Sequence, residues 1–173
     1  CSIVAESLMQ AFHLKKLGIL LYDKETREYT IKYNHGFDIN SEQRFQEDKT
    51  LHKFFTVQRQ PIIVEEVKKS SIYKRSKKTI DLLDGMNVEI LAPVNIKNEN
   101  IALIALGPKE SKDIYTKDDL GVLEVVSSQS AIALKNALLY EESLAFGEEL
   151  KRKVEAATRN LRSANERLKK LDR

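Results

Sequence analysis

The stretch VEILAPVNIKNENIALIALG, Val88 to Gly107, constrains the fold more than any other part of the chain. Two apolar runs, VEILAPVNI and IALIALG, flank the polar KNEN, which is the pattern of a β-hairpin. Neither run alternates apolar with polar, so both faces of this hairpin have to be covered. Helices on each side of the sheet are the usual cover, and the rest of the chain has to supply them.

A second hairpin, KLGILLYD and EYTIKYNH joined through KETR, has one wetter face, because Tyr29, Ile31 and Tyr33 alternate with Thr30, Lys32 and Asn34. Helices are predicted where apolar residues recur at helical spacing. Val4, Leu8, Ala11 and Phe12 mark the first. Leu51, Phe54 and Phe55 mark another after Asp48, a candidate N-cap. Ile72, Ile80 and Leu83 mark a third, with Gly85 as its expected stop. Residues 37–48 keep no period and read as loop, and PIIV at Pro61 to Val64 reads as a short strand. Thr116 and Asp119 bracket a capping box that launches Leu120, Leu123, Ser127, Ala131, Leu134 and Leu138 along one helical face. This order predicts an α+β domain, an antiparallel sheet packed by helices, and argues against a doubly wound nucleotide-binding sheet.

From Leu150 the spacing tightens to alternating steps of four and three through Val154, Ala157, Leu161, Ala164, Leu168 and Leu171, the seam of a coiled coil. That phase does not continue the preceding stripe, and the two meet near Gly147. So short a coil is marginal as a lone helix in water, so a parallel homodimer is expected. The net charge of +3 is unevenly spread: from Lys151 onward nine Lys/Arg face three Asp/Glu, leaving residues 1–150 at −3 (20 basic, 23 acidic). The basic balance belongs to the tail and is no argument for nucleic-acid binding by the domain.

DIYTKDDLGVLEVVSSQSAIALKNALLYEE, Asp113 to Glu142, closely resembles the closing segment of GAF domains, with Ala131, Ile132, Ala133, Asn136, Ala137, Leu139 and Tyr140 in an "A-I-A-x-x-N-A-x-L-Y" finish. EILAPVNIKNENIALIALGPK resembles the preceding GAF hairpin, Pro93 included, and LGILLYDKETREYTIKYNHGFD the opening one. The chain departs from the pattern in lacking a glycine near Asn98 to Ala102. LRSANERLKKLDR is similar to the linker that leads into the phosphoacceptor helices of prokaryotic sensor histidine kinases, and similar linkers precede diguanylate cyclase domains. The resemblances imply a GAF sensory domain over 1–145 and a signalling helix over 146–173 that leads toward a kinase domain in cis. No His lies beyond His52, so no phosphoacceptor is present and no catalytic residue is expected in this chain. A chain that starts at Cys1 and stops in a running seam is expected to be part of a longer protein.

A GAF domain commonly holds a small molecule, and the resemblance places the pocket wall at Tyr33, His35, Phe54, Phe55, Tyr73, Leu83 and Ile90; the plainer alternative is that these side chains only fill the core. Bilin attachment and methionine-sulfoxide reduction both need a pocket thiol, whereas Cys1 precedes the first helix. The "NKFDE"-type element of cyclic-nucleotide-binding members is absent, and His13, His35 and His52 lack metal-ligand spacing, so neither cofactor nor metal is assigned. KKSSIYKRSKK, Lys68 to Lys78, reads as a solvated basic run and not as a nucleic-acid site. No apolar run approaches the roughly 18 residues of a membrane span. With one Cys no disulfide forms within the chain, so a reducing cytoplasmic setting is expected, with an upstream anchor on a longer parent as the alternative. The competing reading is a ligand-free structural dimerisation module.

Overall fold

The computed structural model describes residues 2–40 and 42–171, with Ser2, Ile3 and residues 164–171 described by their backbone alone. Its elements run α1 (Ser2–Phe12), β1 (Leu17–Asp23), β2 (Glu28–His35), β3 (Arg44–Gln46), α2 (Lys49–Gln58), β4 (Ile62–Ile63), α3 (Val64–Lys68), α4 (Ser71–Gly85), β5 (Ile90–Ile96), β6 (Glu99–Leu106) and α5 (Lys117–Leu171). The strands form one antiparallel sheet in the order β3-β2-β1-β6-β5-β4. The α+β reading therefore holds. The chain divides into two compact units, one ending at Ala133 and one beginning at Leu134. In the second, every described side chain from Lys135 to Ser163 except Leu138 is exposed.

The apolar hairpin β5–β6 lies near the middle of the sheet and is buried on both faces, as its composition demands. Cross-strand register puts Leu17, Ile19 and Leu21 of β1 beside Leu106, Ile104 and Ala102 of β6, and these beside Ile90, Ala92 and Val94 of β5. All nine are buried, on the same side as Ala5 and Leu8 of α1 and Leu123 and Ala131 of α5. The opposite face carries Tyr29, Leu91, Leu103 and Ala105, which cluster with Leu51 and Phe55 of α2, Val64 and Val67 of α3 and Ile80 of α4.

Local chemistry sets the helix ends. Asp48 accepts from the backbone N–H groups of Thr50 and Leu51 at 3.0 Å, capping α2. The Thr116–Asp119 box closes in both directions, Thr116 N–H to Asp119 Oδ2 at 2.7 Å and Asp119 N–H to Thr116 Oγ1 at 3.2 Å. Three expectations need correction. The loop after Gly36 contains a short strand, β3, held by pairing with β2 rather than by any pattern of its own. Gly85 remains inside α4, and the left-handed residue after the helix is Asn87 (φ 58°). Ala5, not Ala11, completes the buried stripe of α1 with Leu8 and Phe12. The missing hairpin glycine is replaced by Lys97, which adopts φ 54° itself.

Candidate functional site

Between the second face of the sheet and helices α2 and α4 lies a cavity of about 500 Å³. Its floor is Gly18 and Leu20 of β1, Leu103 and Ala105 of β6 and Leu91 of β5; its side walls come from Tyr29 and Ile31 of β2 and from the loop containing Phe37 and Ile39. Leu51, His52 and Phe55 of α2, Thr79 and Leu83 of α4 and Met86 just after it close it. Most of these groups are apolar, which suits a small organic molecule better than a polar or highly charged one.

Of the seven residues the sequence placed in the wall, Phe55 and Leu83 line this cavity and the other five do not. Tyr33 and His35 are displaced by a bulge. Ile19 pairs with Tyr33 but Leu20 pairs with Ile31, so Lys32 is an extra residue and alternation restarts out of phase. Tyr33 therefore points to the α1 side, its hydroxyl 3.9 Å from Met9 Sδ, and Asn34 takes a place in the wall. His35 follows Tyr33 and is exposed. Ile90 is wholly buried on the other face, and its neighbour Leu91 is the one turned to the cavity. Phe54 sits on the flank of α2, its ring edge-on to Phe55 at 5.9 Å. Tyr73 precedes the kink at Ser76, its hydroxyl donating to Asp81 at 2.8 Å, whereas the wall is built after the kink.

The polar part of the site was not singled out from the sequence. Asn100, buried in β6, donates through its amide to Asn95 Oδ1 at 2.8 Å and to the Ala102 carbonyl at 3.1 Å, which fixes its Oδ1 as the acceptor of the Tyr29 hydroxyl at 3.0 Å. Tyr29 has one proton to give and gives it to Asn100. The 2.9 Å contact between Tyr29 Oη and His52 Nδ1 then requires Nδ1 to carry the imidazole proton. His52 Nε2 is left with a lone pair and no hydrogen-bond partner among the described residues, on a ring that lines the cavity. Asn95 extends the chain by donating to the Phe55 carbonyl at 2.8 Å, so α2, β2 and β5–β6 share one network. Little in the sequence hinted at it, because Asn100 closes the polar KNEN stretch and reads there as a turn residue.

Charge reinforces this arrangement. Burial holds the His52 pKa below its usual value, against the pull of the nearby Glu47 carboxylate. Burial pushes the Tyr29 hydroxyl far up, so it stays protonated. At Glu47 burial works upward, but hydrogen bonds from Arg27 Nε (2.9 Å) and Tyr22 Oη (2.8 Å) outweigh it and hold the carboxyl low. The Tyr22 ring lies tilted against that of His52, their centroids 4.4 Å apart. A second junction forms at Asp48, whose Oδ1 also accepts from Ser76 Oγ at 2.8 Å and whose Oδ2 accepts from Thr79 Oγ1 at 2.9 Å. The kink in α4 at Ser76 is thus tied to the α2 cap.

The basic run lies on α3, α4 and the turn between them. Lys68 is engaged by Asp84 at 2.6 Å and Glu65 at 3.3 Å, and Lys74, Arg75, Lys77 and Lys78 are exposed. Of the coil seam, Leu150, Val154, Ala157 and Leu161 are exposed on α5; the side chains of Ala164, Leu168 and Leu171 lie outside the described residues, as does Cys1. Among the described residues no cluster of His, Cys, Asp and Glu is arranged to hold a metal, and no helix is long and apolar enough to cross a membrane.

No family model matches the chain, and no curated protein matches it. Solved structures do. A GAF domain/HD domain protein from Geobacter sulfurreducens aligns at 14% identity and TM-score 0.60, over 80% of this chain and 91% of that one. Residues 122 to 287 of a methyl-accepting chemotaxis protein align at 19% identity and TM-score 0.59, over 79% and 88%. The GAF domain of a two-component sensor histidine kinase from Bacillus halodurans aligns at 16% identity and TM-score 0.56, over 81% and 97%. The fold is that of GAF domains.

Proposed function

We propose that this GAF-fold chain is a sensory module that binds a small, largely apolar molecule bearing one hydrogen-bond donor, and passes occupancy along α5 to an output domain in cis, a histidine kinase being the first choice. The observation that carries the reading is the cavity of about 500 Å³ in which the lone pair of His52 Nε2 is the unmatched acceptor of an otherwise satisfied network. A donor on the ligand would complete the chain from His52 through Tyr29 to Asn100. From there β6 leads through Gly107, whose carbonyl accepts the Tyr115 hydroxyl at 2.6 Å, to Lys109, whose ammonium meets Asp119 in the first turn of α5 at 2.7 Å. Occupancy would then bias the packing of that helix.

Indole and benzofuran are suitable probes, since they are nearly the same shape and only indole carries the donor. The N–H should be worth about 1 kcal/mol, so indole should bind roughly fivefold more tightly, and His52→Phe should abolish the difference. Binding should weaken as pH falls through the lowered His52 value, because the protonated ring loses its acceptor. Titration followed by NMR checks both. Failure of both probes to bind would favour the second reading, a ligand-free dimerisation module, which the exposed apolar residues of α5 support. In either reading the chain is non-catalytic, and labelled ATP should not be incorporated. The parallel dimer is proposed to form through the seam that begins at Leu150, within a cytoplasmic protein.

A further inference from the structure

We propose that the molecule taken into the cavity is amphipathic and singly anionic, an apolar body ending in a carboxylate that sits at the cavity mouth against Lys78 of α4 and Arg44 of β3; this deepens the ligand reading above and rests on it. The exposed residues of the lining mark where the cavity opens: Asn34, Gln43, Arg44, Gln46, Lys78 and Leu82. The buried ones include Phe37, Phe55, Leu91 and Leu103. A ligand that matches both regions has an apolar end and a polar end.

The sign of the polar end follows from which charges around the cavity are already engaged. Two carboxylates line it, Glu47 and Asp48. Glu47 is only 7% exposed and its charge is matched by Arg27, 2.9 Å away. Asp48 accepts from the N–H groups of Thr50 and Leu51 and from the hydroxyls of Ser76 and Thr79, which fills the four sites a carboxylate offers. Neither is left to receive a cationic ligand. The cations of the lining are less committed. Lys78 has no hydrogen bond or ion pair among the described residues. Arg44 is 3.4 Å from Glu28 with its side chain 61% exposed, and the Gln46 amide also donates to Glu28. Lys74, Arg75 and Lys77, exposed on the same helix as Lys78, make the potential around its ammonium more positive. The basic run that the sequence left without a role thus ends at the mouth of the cavity. One free ammonium beside a partly committed guanidinium matches a single negative charge, and the apolar interior opposes a second.

Indole-3-acetate and indole-3-acetamide, titrated into the full chain by NMR beside indole itself, test this. Both carry the ring and its N–H, are nearly the same shape, and differ in charge at the far end. At low salt the acetate should bind at least about fivefold more tightly than the amide, the gain of a charge-assisted contact at a partly exposed site. In about 0.5 M salt that preference should fall below about twofold, because exposed cations are screened. Lys78→Gln should reduce it likewise, and indole binding by this variant reports that its cavity is intact. Indole binding by the parent without preference for the acetate overturns this proposal and leaves the cavity reading standing. A preference that survives either salt or Lys78→Gln also overturns it, and the salt series decides the matter without any variant. Failure of all three molecules to bind overturns both.

Discussion

The two faces of the sheet are built to different ends. On the α1 side, Leu17, Ile90, Ile104 and Leu106 are wholly buried, as are Leu8 and Leu123. On the α2/α4 side a comparable set of apolar groups encloses about 500 Å³ and includes a buried Tyr–Asn network. The closed face provides stability, and the open one keeps room at a cost in contacts. A sheet whose neighbouring residues alternate between these faces, as Leu103 and Ile104 do, lets one strand serve both.

The largest effect expected from this contrast comes from paired truncations in β6. Ile104→Ala should cost about 2–5 kcal/mol, toward the upper end because its surroundings cannot collapse, whereas Leu103→Ala only enlarges an existing cavity and should cost about 1–2 kcal/mol. Urea denaturation of both would decide it, and equal losses would mean that the open face is packed as tightly as the closed one. Asp48→Ala comes next. It removes the α2 cap and strands the hydroxyls of Ser76 and Thr79, for an expected loss of about 2–4 kcal/mol, and it should loosen the wall of the open face selectively, seen as faster amide exchange in α2 and α4.

A smaller effect, of opposite sign, is expected on the closed face. Ser127 Oγ is buried without a hydrogen-bond partner among the described residues, so Ser127→Ala should stabilise by up to about 1 kcal/mol in the same assay. The smallest concerns pH. Because folding lowers the His52 pKa, the unfolded chain binds the proton more readily; the contribution is fully present above the unfolded value near 6.5 and is lost as pH falls through the folded one. Between pH 7.5 and 5.5 the parent should therefore lose slightly more in melting temperature than His52→Gln.

Much of the architecture was legible because it depends on neighbours a few residues apart. The double apolar hairpin at Val88 to Gly107, the Asp48 cap, the Thr116–Asp119 box and the helical stripe through Leu123, Ser127 and Ala131 follow from periods of two and three to four and from groups that bond within one turn. Tertiary structure alone decided the rest. A single extra residue at Lys32 reversed the facing of Tyr33 and His35, and a bulge is a property of strand pairing, not of either strand. Whether Ile90 or Leu91 meets the cavity depended on which side α2 and α4 pack. The proton on His52 was set by Asn100, 48 positions away in sequence, through Tyr29. Likewise α5 carries two apolar stripes of similar spacing, through Leu123 and through Val125, and only the tertiary structure determined which would be core and which would stay exposed.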